Sequence, residues 1–208
     1  MAGTPPSQYF APDPTVESDP GSVDLVLPDV RFTLTTDRGV FARDNVDTGT
    51  KLLLLEGPPP ADGDAHLVDL GAGYGPIACT LAQRNPKATV WAVEINARAR
   101  ALCRHNATAA GLDNVRVVAP EEWPDDVAVD RVWSNPPIRV GKAALHELLL
   151  QWLGRLVPDG SAHLVVQRHL GADSLQRWLG GQGYVVERRQ SRQAFRLLDV
   201  APNGGDRP

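Results

Sequence analysis

Asp69-Leu-Gly71-Ala-Gly73-Tyr-Gly75 constrains the fold of this chain more than any other stretch. Glycine reaches left-handed backbone conformations without steric cost and lets a ligand approach the main chain; a helix starting behind such a loop offers free N–H groups. The loop follows an apolar strand pattern at His66–Leu70 and precedes a helical pattern at Pro76–Arg84, with Pro76 in the first turn. The alternation then repeats. Ala88–Val93, Val115–Val118, Val129–Trp133 and His163–Gln167 read as strands. Ala97–Ala110, stopped by Gly111, Ala143–Val157, stopped by Pro158-Asp159-Gly160, and Ser174–Gly180 read as helices. Tyr184–Glu187 and Ala194–Leu198 are the last two strands, too close in sequence for a parallel crossover and so antiparallel. The expected fold is α/β: a doubly wound, mostly parallel seven-stranded sheet with an antiparallel last strand.

The stretch before residue 61 reads as a small β-rich extension over 23–57. It holds strands near 23–27 and 31–36, a turn at Asp37-Arg38-Gly39, and a third strand starting at Val40-Phe41. A helix carrying Leu52 to Leu55 follows, capped by Asp47 or Thr48. Pro58-Pro-Pro60 acts as a stiff linker to the main body at 61–200. Residues 1–22 and 201–208 read as flexible ends.

At 208 residues and 22.4 kDa the chain suits one core. No apolar run approaches the roughly 18 residues of a membrane span, and the first residues lack the basic and apolar regions of a signal peptide. Cys79 and Cys103 fit neither a disulfide framework nor a metal site. They read as small buried hydrophobes of a reduced, cytoplasmic protein. The net charge of −4 conceals an asymmetry: residues 1–130 carry −9 and residues 131–196 carry +6. The basic C-terminal half is therefore expected to face a polyanion.

Glu94 ends the second strand of the main body, 19 residues past Gly75, where an acid accepts the hydroxyls of a ribose. Dinucleotide sites favour Gly-x-Gly-x-x-Gly. Here the spacing is Gly-x-Gly-x-Gly with Asp69 just ahead. That carboxylate would repel a pyrophosphate but suits a sulfonium or an amino group. The pattern resembles motif I of class I S-adenosylmethionine methyltransferases.

Asn135-Pro136-Pro137-Ile138 follows the strand Val129–Trp133, and ligands of open α/β sheets sit at the carboxyl ends of strands. An exocyclic amine is a poor nucleophile because its lone pair is delocalised. The Asn135 side-chain oxygen and the carbonyl of Pro136, on a backbone stiffened by two prolines, can accept its two N–H bonds and aim the lone pair at a methyl donor. The tetrapeptide resembles motif IV of amino-group methyltransferases. An aromatic residue usually stands where Ile138 does, so Arg139 or Trp133 is expected to stack on the base instead.

Together with Phe41-Ala-Arg43-Asp44-Asn-Val-Asp47-Thr-Gly49, these motifs resemble the small-subunit ribosomal RNA guanine-N2 methyltransferase (RsmC-like) family over about residues 23–200, in its short single-domain form. The resemblance implies that Asp69, Gly71, Gly73, Gly75 and Glu94 hold S-adenosylmethionine. It places Glu121, after the third strand, near the adenine. It assigns Asn135, Pro136 and Pro137 to the amine, with Asn135 also against the cofactor. Phe41, Arg43, Ile138, Arg139 and Lys142 would lie near the substrate. The implied partner is RNA, with no metal and no membrane. Alternatives are a small-molecule or protein-glutamine N-methyltransferase, or a catalytically weak module that binds the cofactor or RNA.

Overall fold

The computed structural model describes residues 15–192 and 194–204. Two antiparallel strands, β1 (Gly21–Val26) and β2 (Arg31–Thr36), open it. Helix α1 (Thr48–Glu56) follows. Then come β3 (His66–Leu70), α2 (Pro76–Arg84), β4 (Thr89–Val93), α3 (Ala97–Ala109), β5 (Val115–Val118), β6 (Val129–Ser134) and α4 (Lys142–Leu153). Strand β7 (Leu156–Gln167), α5 (Ala172–Gly181), β8 (Tyr184–Arg192) and β9 (Phe195–Pro202) complete it.

The seven-stranded sheet has the order β5-β4-β3-β6-β7-β9-β8. Strands β3 to β7 pair in parallel, and β9 is antiparallel to both neighbours, as expected. Strand direction alternates the buried side chains between two apolar layers. Leu67 joins α1, α2 and α3 on one face; Val68 and Leu70 join α4 and α5 on the other. The layer containing α1 also takes residues of β1 and β2 and, from the sheet, Val165, Phe195 and Leu197. The chain winds outward from β3 to β5, then returns to place β6 on the other side of β3. That reversal opens a crevice between the carboxyl ends of β3 and β6. Ser134 Oγ donates to the Leu70 carbonyl at 2.7 Å, locking the two strand ends together.

Several boundaries differ from the expected ones. No strand starts at Val40-Phe41. Residues 37–47 form turns, with Ala42 at φ +58°. Asp37 accepts from Ser18 Oγ and the backbone N–H groups of Asp19 and Arg38, while Asn96 Nδ2 donates to the Gly39 carbonyl, so the segment is tied to the start of α3 instead of to a sheet. Helix α4 stops at Leu153, because Gly154 closes it and Leu156 already pairs with Val129. Strand β8 runs past the expected end at Glu187 to Arg192, through a bulge between Arg188 and Gln190, so Arg188, Arg189 and Arg192 sit in a strand. Of the expected ends, residues 1–14 and 205–208 lie outside the described residues, and 21–22 and 201–202 belong to β1 and β9. Among the described residues no helix is long and apolar enough to cross a membrane.

Candidate active site

The crevice is a cavity of about 520 Å³, within the roughly 300–1,000 Å³ typical of small-molecule sites. One end is built by the glycine loop, Glu94, Ile95 and Pro120; the other by Asn135 to Val140 with Leu148, Gln167 and Leu170. The turn segment Val40-Phe41-Ala42 and the start of α1, Asp47 and Thr50, close the wall between.

The glycines divide the work. Gly71 and Gly73 have φ of +77° and +57°, and the space a Cβ would occupy is open at each, which leaves room for a ligand against the main chain. Gly75, at φ +94°, faces the protein instead: a Cβ there would meet Cys103 Sγ at 2.6 Å. Gly71 N–H and Ala72 N–H both donate to the Val93 carbonyl. Glu94 adds a third tie, accepting from Gly73 N–H through Oε2 and from Asn96 N–H through Oε1, each at 2.8 Å. Burial raises the Glu94 carboxyl above its ordinary range, although these N–H groups and Arg100 pull against it.

Asp69 lies beneath this loop and is fully buried. Its Oδ2 accepts from Ala78 N–H at 2.8 Å. Gly75 has no side chain to cap α2, so Asp69 does that from the preceding strand. Burial, with the charge of Glu94 added, pushes its pKa up to about 8, and Oδ1 has no partner among the described residues. The neighbouring Tyr74 hydroxyl is likewise buried without one.

Asn135 Nδ2 donates to Asp47 Oδ2 at 2.8 Å and to Thr50 Oγ1 at 3.1 Å. The amide nitrogen is thus committed to the start of α1, and Oδ1 of this cavity-lining residue has no hydrogen-bond partner among the described residues. The Pro136 carbonyl accepts from Ile138 N–H at 2.8 Å, which leaves its second lone pair.

Of the residues singled out in the sequence, Phe41, Gly71, Gly73, Glu94, Asn135, Pro136, Pro137, Ile138 and Arg139 share this cavity. Asp69 and Gly75 support it from below. Arg43 is outside its wall, bonded to the Asp19 carboxylate at 2.7 Å. Glu121 is exposed on the turn at 120–122, where Pro120 lines the cavity in its stead. Lys142 starts α4 at the mouth side of the Asn-Pro-Pro turn and is exposed. Trp133 is unavailable for stacking on a ligand, because it is 1% exposed with its ring 5.1 Å from that of His163. Phe41, 44% exposed on the wall, is the open aromatic face.

Charge in the C-terminal half is also distributed differently from the expectation. Arg188 pairs with Asp173, Arg189 with Asp199 and Arg192 with Glu56, at 2.7, 2.6 and 2.6 Å. Arg131 pairs with Asp64, and Arg155 lies over the rings of Trp123 and Trp152. Arg139, Lys142 and Arg168 have no acidic partner among the described residues, and all three are exposed beside the cavity-lining segments 135–140 and 167–170.

Asp47, Thr50 and Tyr74 are among the wall residues that sequence reasoning missed as site residues. The one local signal was Asp47 itself, legible as a helix cap; its 88-residue separation from Asn135 hid the contact.

The methyltransferase small domain profile matches residues 31–197, which take in every element of the cavity. The chain belongs to the methyltransferase small domain family. This methyltransferase small domain is 31% identical over 169 residues to YbxB, an uncharacterised protein of Bacillus subtilis (strain 168), covering 80% of this chain and 84% of the relative. It is 31% identical over 169 residues to ribosomal RNA small subunit methyltransferase C of Shewanella halifaxensis (strain HAW-EB4), covering 78% of this chain and 48% of that one. Among solved structures, the Thermus thermophilus 16S rRNA N2 G1207 methyltransferase (RsmC), in complex with AdoMet and guanosine, superposes with a TM-score of 0.73 at 23% identity. That match covers 91% of this chain and 52% of the other. The chain therefore spans about half the length of these two ribosomal RNA enzymes.

Proposed function

We propose that this protein is an S-adenosylmethionine-dependent N-methyltransferase acting on an exocyclic amine, guanine N2 of ribosomal RNA. The observation that carries the reading is Asn135: both amide protons are engaged by α1, so an acceptor oxygen is presented on the wall of a cavity at the sheet's reversal point. The fold neighbour that holds AdoMet and guanosine and the relative named as a small-subunit enzyme support the substrate.

The residues present fit the cofactor. Gly71 and Gly73 leave open space along the main chain for its amino-acid part, and Glu94 is oriented by Gly73 and Asn96 to accept ribose hydroxyls. Asp69 needs no direct contact. A cation on the loop above it would favour its ionised form and so be bound more tightly. When bound, the cofactor supplies a methyl group on a sulfonium.

The protein's part is positioning. Asn135 Oδ1 and the Pro136 carbonyl accept the two N–H bonds of the amine and aim its lone pair into the cavity. No base has to act first, since the amine becomes acidic only as it is alkylated. Phe41 and Ile138 bound the substrate end as apolar surfaces. Arg139, Lys142 and Arg168, without an acidic partner among the described residues, supply positive charge for phosphates at the mouth.

Transfer of tritium from labelled S-adenosylmethionine to RNA, protein extract or buffer alone tests the reading. Label is expected in RNA, at guanine N2 after nuclease digestion. Asn135→Ala should cut turnover by on the order of a hundredfold while cofactor affinity stays. Label in protein, or cofactor affinity falling in step with turnover, would overturn it.

A further inference from the structure

The Asn135 amide is held by a residue 88 positions earlier in the chain. Asp47 is the N-cap of α1: its Oδ2 accepts from Thr50 N–H at 3.0 Å and also from Asn135 Nδ2 at 2.8 Å. Thr50, one helical turn inside α1, adds its hydroxyl as a second acceptor for the same Nδ2, at 3.1 Å. An ionised carboxylate can only accept. Facing it, the amide has one acceptable orientation, nitrogen toward Asp47 and oxygen away. A primary amide is nearly symmetric in shape, so packing alone does not choose between its two flips; the acceptor oxygen of Asp47, held in place by Thr50 N–H, does. The wrong flip would put Oδ1 against a carboxylate and turn an NH2 toward an incoming amine, two donors face to face.

The carboxylate is itself confined. A Cβ on residue 49 would come within 2.9 Å of Asp47 Oδ2 and 2.8 Å of the Phe195 ring, so Gly49 is what lets the capping side chain, α1 and the start of β9 close up. Phe195 pairs with Gln167, another residue of the cavity wall. The N-terminal segment is thus part of the reaction geometry.

We infer that Asp47 is a positioning residue, which sets the polarity of the Asn135 amide so that Oδ1 meets the substrate amine. This rests on the reading of Asn135 as the amine acceptor. Asp47→Ser keeps an N-cap hydroxyl for Thr50 N–H but is too short to reach Asn135, whereas Asp47→Asn keeps an acceptor oxygen for both. Asp47→Ser should lower kcat by about 10- to 100-fold, the cost of a misplaced reacting group, with S-adenosylmethionine affinity by calorimetry and the thermal midpoint close to wild type. Asp47→Asn should recover most of the turnover. In an Asn135→Ala background, Asp47→Ser should cost nothing further, since a residue acting through another shows no additive loss. Should Asp47→Ser fail to fold, Thr50→Val removes the second acceptor and leaves the cap; its smaller loss should vanish in the same background. Full turnover in Asp47→Ser, or additive losses in the double variant, would overturn the inference while Asn135→Ala remains inactive. Full turnover in Asn135→Ala would instead remove the reading of the site, and the inference with it.

Discussion

Replacing Glu94 with glutamine changes almost no volume and tests how the glycine loop is held and used. In the wild type, Oε1 and Oε2 each accept a backbone N–H at 2.8 Å. A glutamine keeps one acceptor oxygen and turns an NH2 toward the other N–H, so one of these bonds is lost and the remaining one is no longer charge-assisted. Hydrogen bonds to charged groups contribute about 1.5–3 kcal/mol each, but relief from burying the carboxylate offsets part of the loss. The ligand-free protein should lose about 1–2 kcal/mol, which for a chain of this size lowers Tm by roughly 2–8 °C. Cofactor binding carries a separate loss, because the ribose hydroxyls no longer meet an anion. At about 1.5–3 kcal/mol that weakens binding by roughly 10- to 150-fold. Calorimetric titration with S-adenosylmethionine and thermal melting of the free protein read the two losses independently. The pH dependence adds a third check. Burial raises the Glu94 carboxyl above its ordinary value, so it takes up a proton earlier than an exposed glutamate as pH falls. Wild-type affinity should therefore drop on acidification through that raised pKa, and the glutamine variant should keep only the separate dependence that comes from Asp69. Unchanged affinity in Glu94→Gln, with the same pH profile as wild type, would refute the assignment of Glu94 to the cofactor.

The two kinds of glycine in the loop should separate in the same assays. Gly75→Ala places a Cβ 2.6 Å from buried Cys103 Sγ at φ +94°, so urea unfolding should show a loss of about 2–5 kcal/mol from strain and overpacking together. Gly73→Ala, with open space at its Cβ, should cost the fold only about 1–2 kcal/mol and be felt mainly as weaker cofactor binding. Equal destabilisation of the two would contradict this division. Reversing Arg139 and Lys142 to glutamate should weaken RNA binding, leave cofactor affinity alone, and flatten the slope of log affinity against log salt by about 0.7 per lost phosphate contact. A slope already flat in the wild type would remove these cations from an RNA interface.

The βα alternation, the antiparallel end of the sheet, the glycine loop and the Asn-Pro-Pro turn were all legible in the chain. Each is a local pattern: an apolar period, a run of residues with special backbone freedom, or a connection too short for a crossover. Asp47 as a helix cap was legible for the same reason. The end of α4 was misplaced because the apolar period runs through Leu156, and only its pairing with Val129 in β6 takes that residue out of the helix. The third N-terminal strand was misplaced similarly. Val40-Phe41 has strand character, but hydrogen bonds from Asn96 and around Asp37 draw the segment across the top of α3.

Asp69 and the arginines of β8 show the limit most plainly. From sequence, Asp69 is an acid facing the ligand; in the fold it caps α2 from below, accepting from Ala78 N–H where Gly75 has no side chain to do so. Arg188, Arg189 and Arg192 belong to the +6 sum over residues 131–196, but in the fold they meet Asp173, Asp199 and Glu56. A sum of charges along a segment is blind to partners 10 to 136 residues away. Local sequence is therefore enough to say which chemistry-bearing loops the chain possesses and at which edge of the sheet they emerge, since backbone conformation and strand direction are set by neighbours a few residues apart. Only tertiary contacts settle which atom of Asn135 is bound by Asp47 and Thr50 and which cations beside the cavity lack an acidic partner among the described residues, because hydrogen-bond polarity and ion pairing depend on groups that the closed fold alone brings within hydrogen-bond distance.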